Sequence, residues 1–79
     1  MTLEDKVIAV IRENSEDVTE IATDADLVND VGIDSFGMIM IVNGIEDAFS
    51  ITVKEEDIAK IRTVNDIAGL LRNDYGIKE

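Results

Sequence analysis

The sequence predicts an all-α protein, a small four-helix up-down bundle of three main helices and one short helix, with a long ordered first loop. Three segments carry their apolar residues at the three- and four-residue spacing of an amphipathic helix. The chain contains no proline and only three aromatic residues, so its core must consist mainly of Ile, Val and Leu. Its 79 residues suffice for one domain, which we expect to cover residues 1–79.

The first helix is predicted from about Leu3 to Asn14. Thr2 is expected to be its N-cap. Glu4 and Asp5 follow in the first turn, where the helix dipole favours negative charge. The residues that share one stripe of this helix are apolar: Leu3, Val7, Val10 and Ile11.

Residues 15–34 have weak periodicity and form the predicted first loop. A structureless loop of this length is uncommon in so small a domain, so we expect it to be ordered and anchored. One short turn is expected near Leu27 to Asp30. The loop contains apolar residues so spaced that several of them could pin it across the helices: Ile21, Leu27, Val28, Val31 and Ile33.

The second main helix is predicted from about Ser35 to Phe49, with one apolar face for the core. That core face carries Met38, Ile41, Val42, Ile45 and Phe49. The outer side, called the docking face below, carries Phe36, Ile39, Met40, Asn43, Glu46 and Asp47. Three exposed apolar residues near the start of one helix favour a surface that binds a partner, although a helix packed on both sides would show the same pattern.

A short helix and a last main helix complete the predicted bundle. Residues 52–57 predict a cap followed by a short helical piece, with Ile58 and Ile61 turned inward. The last helix is predicted from about Thr63 to Tyr75, with Gly76 as its C-terminal stop. A capping box is expected between Thr63 and Asp66. The inner face of the last helix carries Val64, Ile67, Ala68, Leu71 and Tyr75.

Composition excludes several classes of function. The chain has no Cys and no His, which removes disulfides, thiolate nucleophiles, the usual zinc ligands and Ser-His or Cys-His catalytic pairs. We therefore expect a carrier or binding module rather than an enzyme, without a metal site. A calcium loop starting at Asp24 is rejected, because Val28, Asn29 and Ser35 would stand where an oxygen ligand, a glycine and a glutamate are needed.

The net charge of −11 predicts the kind of partner. Such a surface repels nucleic acid and anionic membranes and attracts proteins with basic patches, although it can also serve solubility alone. No apolar run is long enough to span a bilayer, and the N-terminus lacks the pattern of a secretory signal. We expect a monomeric cytoplasmic protein without membrane insertion.

Ser35 is the residue most suited to chemistry. Gly32 permits a tight bend before it, and Asp34 and Ser35 both suit the start of a helix. A hydroxyl at this place would be exposed and close to the positive end of the helix dipole, which tolerates a phosphate. Taken alone, the same residues could simply cap the helix, a role worth about 1 kcal/mol.

The motif around Ser35 resembles that of acyl carrier proteins. The resemblance rests on Asp30-Val31-Gly32-Ile33-Asp34-Ser35-Phe36, followed by Glu46-Asp47-Ala48-Phe49 and by Ile61-Arg62-Thr63-Val64 before the last helix. It implies that Ser35 receives 4′-phosphopantetheine from coenzyme A in a Mg²⁺-dependent reaction of a phosphopantetheinyl transferase, with Asp34 as its motif neighbour. The arm would hold acyl groups as thioesters, and the bundle would shelter part of the acyl chain.

The resemblance also implies partners and leaves alternatives. The expected partners are an acyl-loading ligase or acyltransferase, and synthase or transferase enzymes of fatty-acid, lipid or polyketide biosynthesis with basic docking patches. Gly37 and Met40 stand where bacterial fatty-acid carriers typically have acidic residues, which indicates a specialised carrier. A D-alanyl or other aminoacyl carrier of the same fold remains an alternative. So does a non-covalent adaptor that binds through Phe36, Ile39 and Met40.

Overall fold

The structure, a computed structural model, describes residues 1–15 and 20–78 and confirms the all-α prediction. Within these residues the chain forms four helices and no strand: α1 Leu3–Glu13, α2 Ser35–Phe49, α3 Glu55–Ile58 and α4 Val64–Asn73. The bounds of α2 coincide with the predicted ones. None of these helices is long and apolar enough to cross a membrane.

The core forms around α1, which packs against both α2 and α4. The whole predicted stripe of α1 is buried: Leu3, Val7, Val10 and Ile11. On α2 the fully buried positions are Ile41, Val42 and Ile45, whereas Met38 and Phe49 are only half-buried at the two ends of the predicted core face. Each fully buried aliphatic side chain contributes roughly 1.5–3 kcal/mol, so the buried stripe of α1 is a large part of what joins it to α2 and α4.

Capping boxes fix the starts of α1 and α4. The Thr63 hydroxyl accepts a bond from the Asp66 amide at 3.0 Å, and the Asp66 carboxylate accepts one from the Thr63 amide at 3.1 Å, as predicted. Thr2 and Asp5 form the same reciprocal pair at α1. There the backbone hydrogen bond from Thr2 lowers the pKa of Asp5 from its usual value.

The first loop is anchored where it is described. Ile21, Leu27 and Ile33 are buried in the core, and the predicted turn lies at residues 27–30. The Leu27 amide donates to the Arg62 carbonyl at 2.7 Å, which ties the loop to the segment before α4. The part of the predicted loop at residues 16–19 lies outside the described residues.

Val28 is not among the residues that anchor the loop. Its side chain is 46% exposed. The Asp26 carboxylate accepts the amides of Val28 and Asn29, each at 2.9 Å, which closes the turn. In this tight turn Leu27 is buried in the core while the neighbouring Val28 is left on the surface.

Two further predictions about the second half of the chain are wrong. The short helix expected within residues 52–57 has no side-chain cap, because its N-cap residue is Lys54 and no side chain makes a capping bond there. Tyr75 does not lie on α4, which ends at Asn73. Gly76 takes a positive φ of 65° beyond that end, and the Ile77 amide donates back to the Leu71 carbonyl at 2.9 Å. The chain therefore turns back at Gly76. The inward orientation predicted for Ile58 and Ile61 is confirmed, because both side chains are partly buried against the core.

Candidate functional site

Ser35 is the first residue of α2 and is exposed. Asp34, not Ser35, is the N-cap: its carboxylate accepts the Gly37 amide at 2.7 Å, and its carbonyl accepts the Met38 amide at 2.9 Å. The N-cap side chain accepts a bond from a free amide of the first turn, and here Asp34 provides that acceptor. Capping therefore does not occupy the Ser35 hydroxyl.

The backbone before Ser35 is held in place on both sides of Gly32. Gly32 has a φ of 90°, a conformation that side chains other than hydrogen rarely allow. The Val31 amide donates to the Asp26 carbonyl at 3.0 Å, and the Ile33 amide donates to the Leu27 carbonyl at 2.9 Å. Ile33 itself is buried. These contacts fix the direction in which the chain enters α2, and with it the position of Ser35.

The start of α2 fits a phosphate-linked group. The amides of Ser35 and Phe36 precede the first amide that the cap satisfies, and the positive end of the helix dipole favours a phosphodiester there. A side chain at Gly32 would meet no atom within 4 Å, so the space beside the loop is open. A reachable hydroxyl, a positive helix end and open space are what a covalently attached phosphopantetheine requires. No three carboxylates in residues 1–15 and 20–78 come together to hold a metal ion.

Asp26 supports the site from within the loop. Its carboxylate accepts the Asn29 and Val28 amides and the Arg62 guanidinium, whose Nε lies 3.1 Å from Oδ2. The backbone hydrogen bond from Asn29, with help from Arg62, lowers the pKa of Asp26 below its usual value. The sequence reasoning missed this role. The Asp-x-x-Asn spacing is a turn signal that could have indicated it, but the Arg62 contact could not be read locally.

The docking face is apolar at its beginning and polar at its end. Phe36, Ile39 and Met40 are 70%, 56% and 38% exposed, which agrees with the predicted orientation of α2. Asn43 and Asp47 are also exposed. The first turn of α2 contains no acidic residue. Beyond the capping Asp34, the half of the docking face nearest Ser35 is therefore apolar, and its acidic residues lie near the far end of the helix.

Glu46 differs from the rest of the docking face. It is half-buried, and its Oε2 accepts the Val53 amide at 2.8 Å. This bond joins α2 to the segment that leads into α3. The sequence analysis placed Glu46 on the flank of the docking face, and the structure adds a backbone contact that local periodicity could not indicate.

The structure also gives a reason for Gly37. A Cβ atom at this position would lie 2.8 Å from Cγ2 of Ile33 and 3.2 Å from Oδ1 of Asp34. Both of those side chains secure the start of α2. The glycine therefore lets the buried Ile33 and the capping Asp34 share the first turn.

An apolar pocket lies between α2 and α4 and is almost closed. Its volume is about 10 Å³, close to the least space that holds one water molecule. Side chains from α2, α4 and the segments on either side of α3 line it: Met38, Ile41, Val42, Ile45, Val53, Ile61, Ile67, Leu70 and Leu71. All of them are apolar, so the pocket suits hydrocarbon.

Comparison with known proteins places these features in a family. The sequence profile described as the phosphopantetheine attachment site matches residues 5–71. The acyl carrier protein of Syntrophus aciditrophicus is 34% identical, over 91% of this chain and 91% of the relative. The meromycolate extension acyl carrier protein of Mycobacterium tuberculosis is 34% identical, over 87% of this chain and 64% of the relative.

A solved structure supports the same assignment. It is described as an acyl carrier protein from Mycobacterium tuberculosis and has a TM-score of 0.75 with 29% identity, covering 84% of this chain and 89% of that one. Proteins of this kind are carriers rather than enzymes, bear covalently attached 4′-phosphopantetheine, and work with phosphopantetheinyl transferases, synthases and transferases. The fold, the profile and the relatives agree, and the chain belongs to the acyl carrier protein family.

Proposed function

We propose that Ser35 carries the 4′-phosphopantetheine arm and that the chain presents acyl thioesters to enzymes of fatty-acid, lipid or polyketide biosynthesis. The observation that supports this most is the exposed Ser35 at the first position of α2, next to an Asp34 that caps the helix in its place. When bound, the arm supplies a terminal thiol, which this Cys-free chain lacks.

In the attachment reaction the chain itself supplies one reacting group, the Ser35 hydroxyl, and the transferase supplies the base. A bond forms between Ser35 Oγ and the phosphorus of phosphopantetheine while the pyrophosphate bond of coenzyme A breaks. Adenosine bisphosphate leaves, and the serine proton passes to a base on the transferase. The chain contributes a hydroxyl in a fixed, exposed place, and the helix end beside it stabilises the phosphodiester product.

The proposal is tested by intact-mass measurement. The purified protein is incubated with coenzyme A, Mg²⁺ and a broad-specificity phosphopantetheinyl transferase. We expect a mass increase of one phosphopantetheine, which Ser35→Ala abolishes because no other residue offers the same hydroxyl in the motif. Ser15→Ala and Ser50→Ala remove the other two serines and should leave the adduct intact.

Two outcomes would contradict the assignment of Ser35. One is the absence of an adduct with several transferases that modify a control carrier. The other is an adduct that survives Ser35→Ala and maps to Ser15 or Ser50. An unmodified protein that still bound partners through Phe36, Ile39 and Met40 would favour the adaptor alternative.

The beginning of the docking face favours a dedicated pathway over the housekeeping fatty-acid cycle. Gly37 and Met40 replace the acidic residues typical of bacterial fatty-acid carriers, and the first turn of α2 has no negative charge. One relative already serves a named special purpose, meromycolate extension. The glycine at position 37 also supports an aminoacyl group as the second candidate cargo. Mass spectrometry of the loaded protein from its source would distinguish an acyl from an aminoacyl group.

A further inference from the structure

Two cavities of the bundle give an apolar cargo either too little room or unsuitable surroundings. The apolar pocket between α2 and α4 has a volume of about 10 Å³, close to the space of one water molecule. A groove between α3 and α4 is larger, about 230 Å³, but its lining includes Asp57, Asp66, Asp74 and Lys60. Charged side chains do not favour contact with hydrocarbon. In the conformation described, an acyl chain therefore fits neither cavity.

The outer side of α2 offers apolar surface beside Ser35. Phe36, Ile39 and Met40, called the outer patch below, are 70%, 56% and 38% exposed. Residues four apart on a helix are neighbours, so Ile39 lies one turn beyond Ser35 on the same side. Its Cα–Cβ bond tilts towards the helix N-terminus, and so towards Ser35. Met40 lies about 7.5 Å further along the helix axis than Ser35, from a rise of about 1.5 Å per residue. The outer patch is therefore close to the point where an arm on Ser35 begins.

The outer patch carries no charge of its own. The first turn of α2 contains no acidic residue, and residues 35–49 include neither Lys nor Arg. The two acidic residues of the helix, Glu46 and Asp47, follow near its C-terminal end. Hydrocarbon placed on the outer patch thus removes apolar side chains from water without burying a charge.

The group best placed to cover the outer patch is one that is tethered beside it. A second copy of the chain is opposed by repulsion, since each copy has a net charge of −11. A partner enzyme covers the patch only while it is docked. By contrast, a short flexible tether keeps its cargo at an effective concentration of about 1 mM, so an affinity of about 1 mM would keep the cargo bound about half of the time.

We propose that Phe36, Ile39 and Met40 bind the acyl chain that the arm on Ser35 carries, along the outer side of α2. This inference rests on the proposed attachment at Ser35 and specifies the class of cargo as an apolar acyl chain long enough to lie across the outer patch. An aminoacyl group suits the patch less, because its ammonium would lose water and the first turn of α2 has no carboxylate to pair with it.

Methyl NMR of the full chain locates the cargo. The protein is labelled with ¹³C at the Ile δ1 and Met ε methyl groups, and a phosphopantetheinyl transferase loads Ser35 from octanoyl-coenzyme A or acetyl-coenzyme A. We expect the shift differences between the two loaded forms to be severalfold larger at Ile39 and Met40 than at the buried Ile41 and Ile67. Differences concentrated on the buried methyl groups would place the chain inside the bundle, and uniformly small differences would leave it in water. Either result would overturn the proposal.

A matched pair of double variants tests the outer patch itself. Ile39→Asn with Met40→Gln removes hydrocarbon from two exposed positions, whereas Ile39→Leu with Met40→Leu keeps it. The octanoyl group carries a ¹³C-labelled terminal methyl, and a neutral gadolinium chelate in solution reports how exposed that methyl is. We expect relaxation severalfold faster in the polar variant than in the wild type, and close to wild type in the leucine variant. Circular dichroism checks that both are folded. Equal relaxation in all three proteins would contradict a role of the outer patch.

The outcomes separate this inference from the assignment of Ser35. Absence of an adduct would remove the carrier assignment, and with it the tether on which the inference rests. An adduct on Ser35 whose octanoyl chain leaves Ile39 and Met40 unperturbed would remove the inference alone and leave Ser35 as the attachment site.

Discussion

At the scale of single residues, the candidate site depends on two neighbours with different roles: Asp34 caps α2, and Ser35 presents an exposed hydroxyl. Asp34 has an extended backbone, with φ −82° and ψ 179°, and its side chain turns back to the Gly37 amide. Ser35 is the first helical residue and is exposed, and the capping bond is made by Asp34 rather than by its hydroxyl. The serine is available for modification because the capping bond to the Gly37 amide is made by the preceding residue, Asp34.

Asp26 provides a residue-scale test through pH. Its pKa is lowered by the backbone hydrogen bond from Asn29 and by Arg62, so its charge contributes stability that is fully present above the usual aspartate pKa and is lost as pH falls through the lower folded value. Asp26→Asn should therefore lower the free energy of unfolding at pH 7. The difference from wild type should shrink below about pH 4, where the carboxyl gains its proton first in the unfolded chain and then, at lower pH, in the folded protein.

Urea unfolding followed by circular dichroism at several pH values measures this difference. Asp24→Asn is the matched control, since it removes the same charge from an exposed position in the same loop. The control should follow the wild type more closely at pH 7. A pH-independent effect of Asp26→Asn would show that the carboxylate charge plays no part.

At the scale of elements, two helical glycines have opposite surroundings. A Cβ atom at Gly69 on α4 would meet nothing within 4 Å. A Cβ atom at Gly44 on α2 would overlap the Asn14 side-chain amide and lie 3.0 Å from Cγ1 of Val10. That Asn14 amide donates to the Val10 carbonyl at 2.8 Å and closes the end of α1. Gly44 therefore allows the close approach of α1 and α2.

Substitution by alanine is expected to change the free energy of unfolding differently at these two glycines. Gly69→Ala should raise the free energy of unfolding by about 0.5–1 kcal/mol, because alanine loses less conformational entropy in a helix. Gly44→Ala gains the same propensity but displaces the Asn14 amide, a hydrogen bond worth about 1 kcal/mol, and crowds Val10. It should give no net gain. Thermal and urea unfolding of both variants provides the comparison, and equal stabilisation would refute the close approach at Gly44.

Elements with local signals could be predicted from the sequence. The bounds of α2 follow from a cap at Asp34 and from apolar spacing, and the Thr63–Asp66 capping box follows from residues three apart. Where the prediction failed, the deciding contacts are distant in sequence. Tyr75 leaves α4 and binds Lys54 and Asp57, and local periodicity contains no information about such partners.

The same limit applies to the candidate site. The exposure of Phe36, Ile39 and Met40 was predictable because a helix with one buried face must expose the other. The role of Glu46 was not, since its partner Val53 lies in a segment whose path depends on how α3 packs. The motif around Ser35 predicts an attachment site from sequence, whereas the bond between Glu46 and the Val53 amide is visible only in the three-dimensional structure.

At the scale of the whole molecule, the charge is large but unevenly placed. The net charge is −11, yet the part of the docking face nearest Ser35 is hydrocarbon. Long-range attraction brings a basic partner towards the chain, while the contact beside Ser35 is made with an apolar surface. A partner suited to this chain therefore combines basic residues with an apolar patch.

This distribution of charge predicts that the chain is a poor substrate for the enzymes of the housekeeping fatty-acid cycle. With purified enzymes of that cycle, the loaded chain should be elongated more slowly than a housekeeping carrier, because their basic patches find no acidic residue within the first turn of α2. Met40→Glu adds an acid on the docking face and should increase the elongation rate severalfold. Ala48→Glu adds the same charge near the far end of α2 and should increase it less. Elongation of the wild type as fast as the housekeeping carrier would contradict a specialised role.

The small size of the apolar pocket also bears on how a loaded protein would differ from the structure described. An interior with room for about one water molecule does not hold an acyl chain. A cargo sheltered there would have to separate the apolar side chains that line the pocket, so the bundle of a full carrier would be wider than that of an empty one.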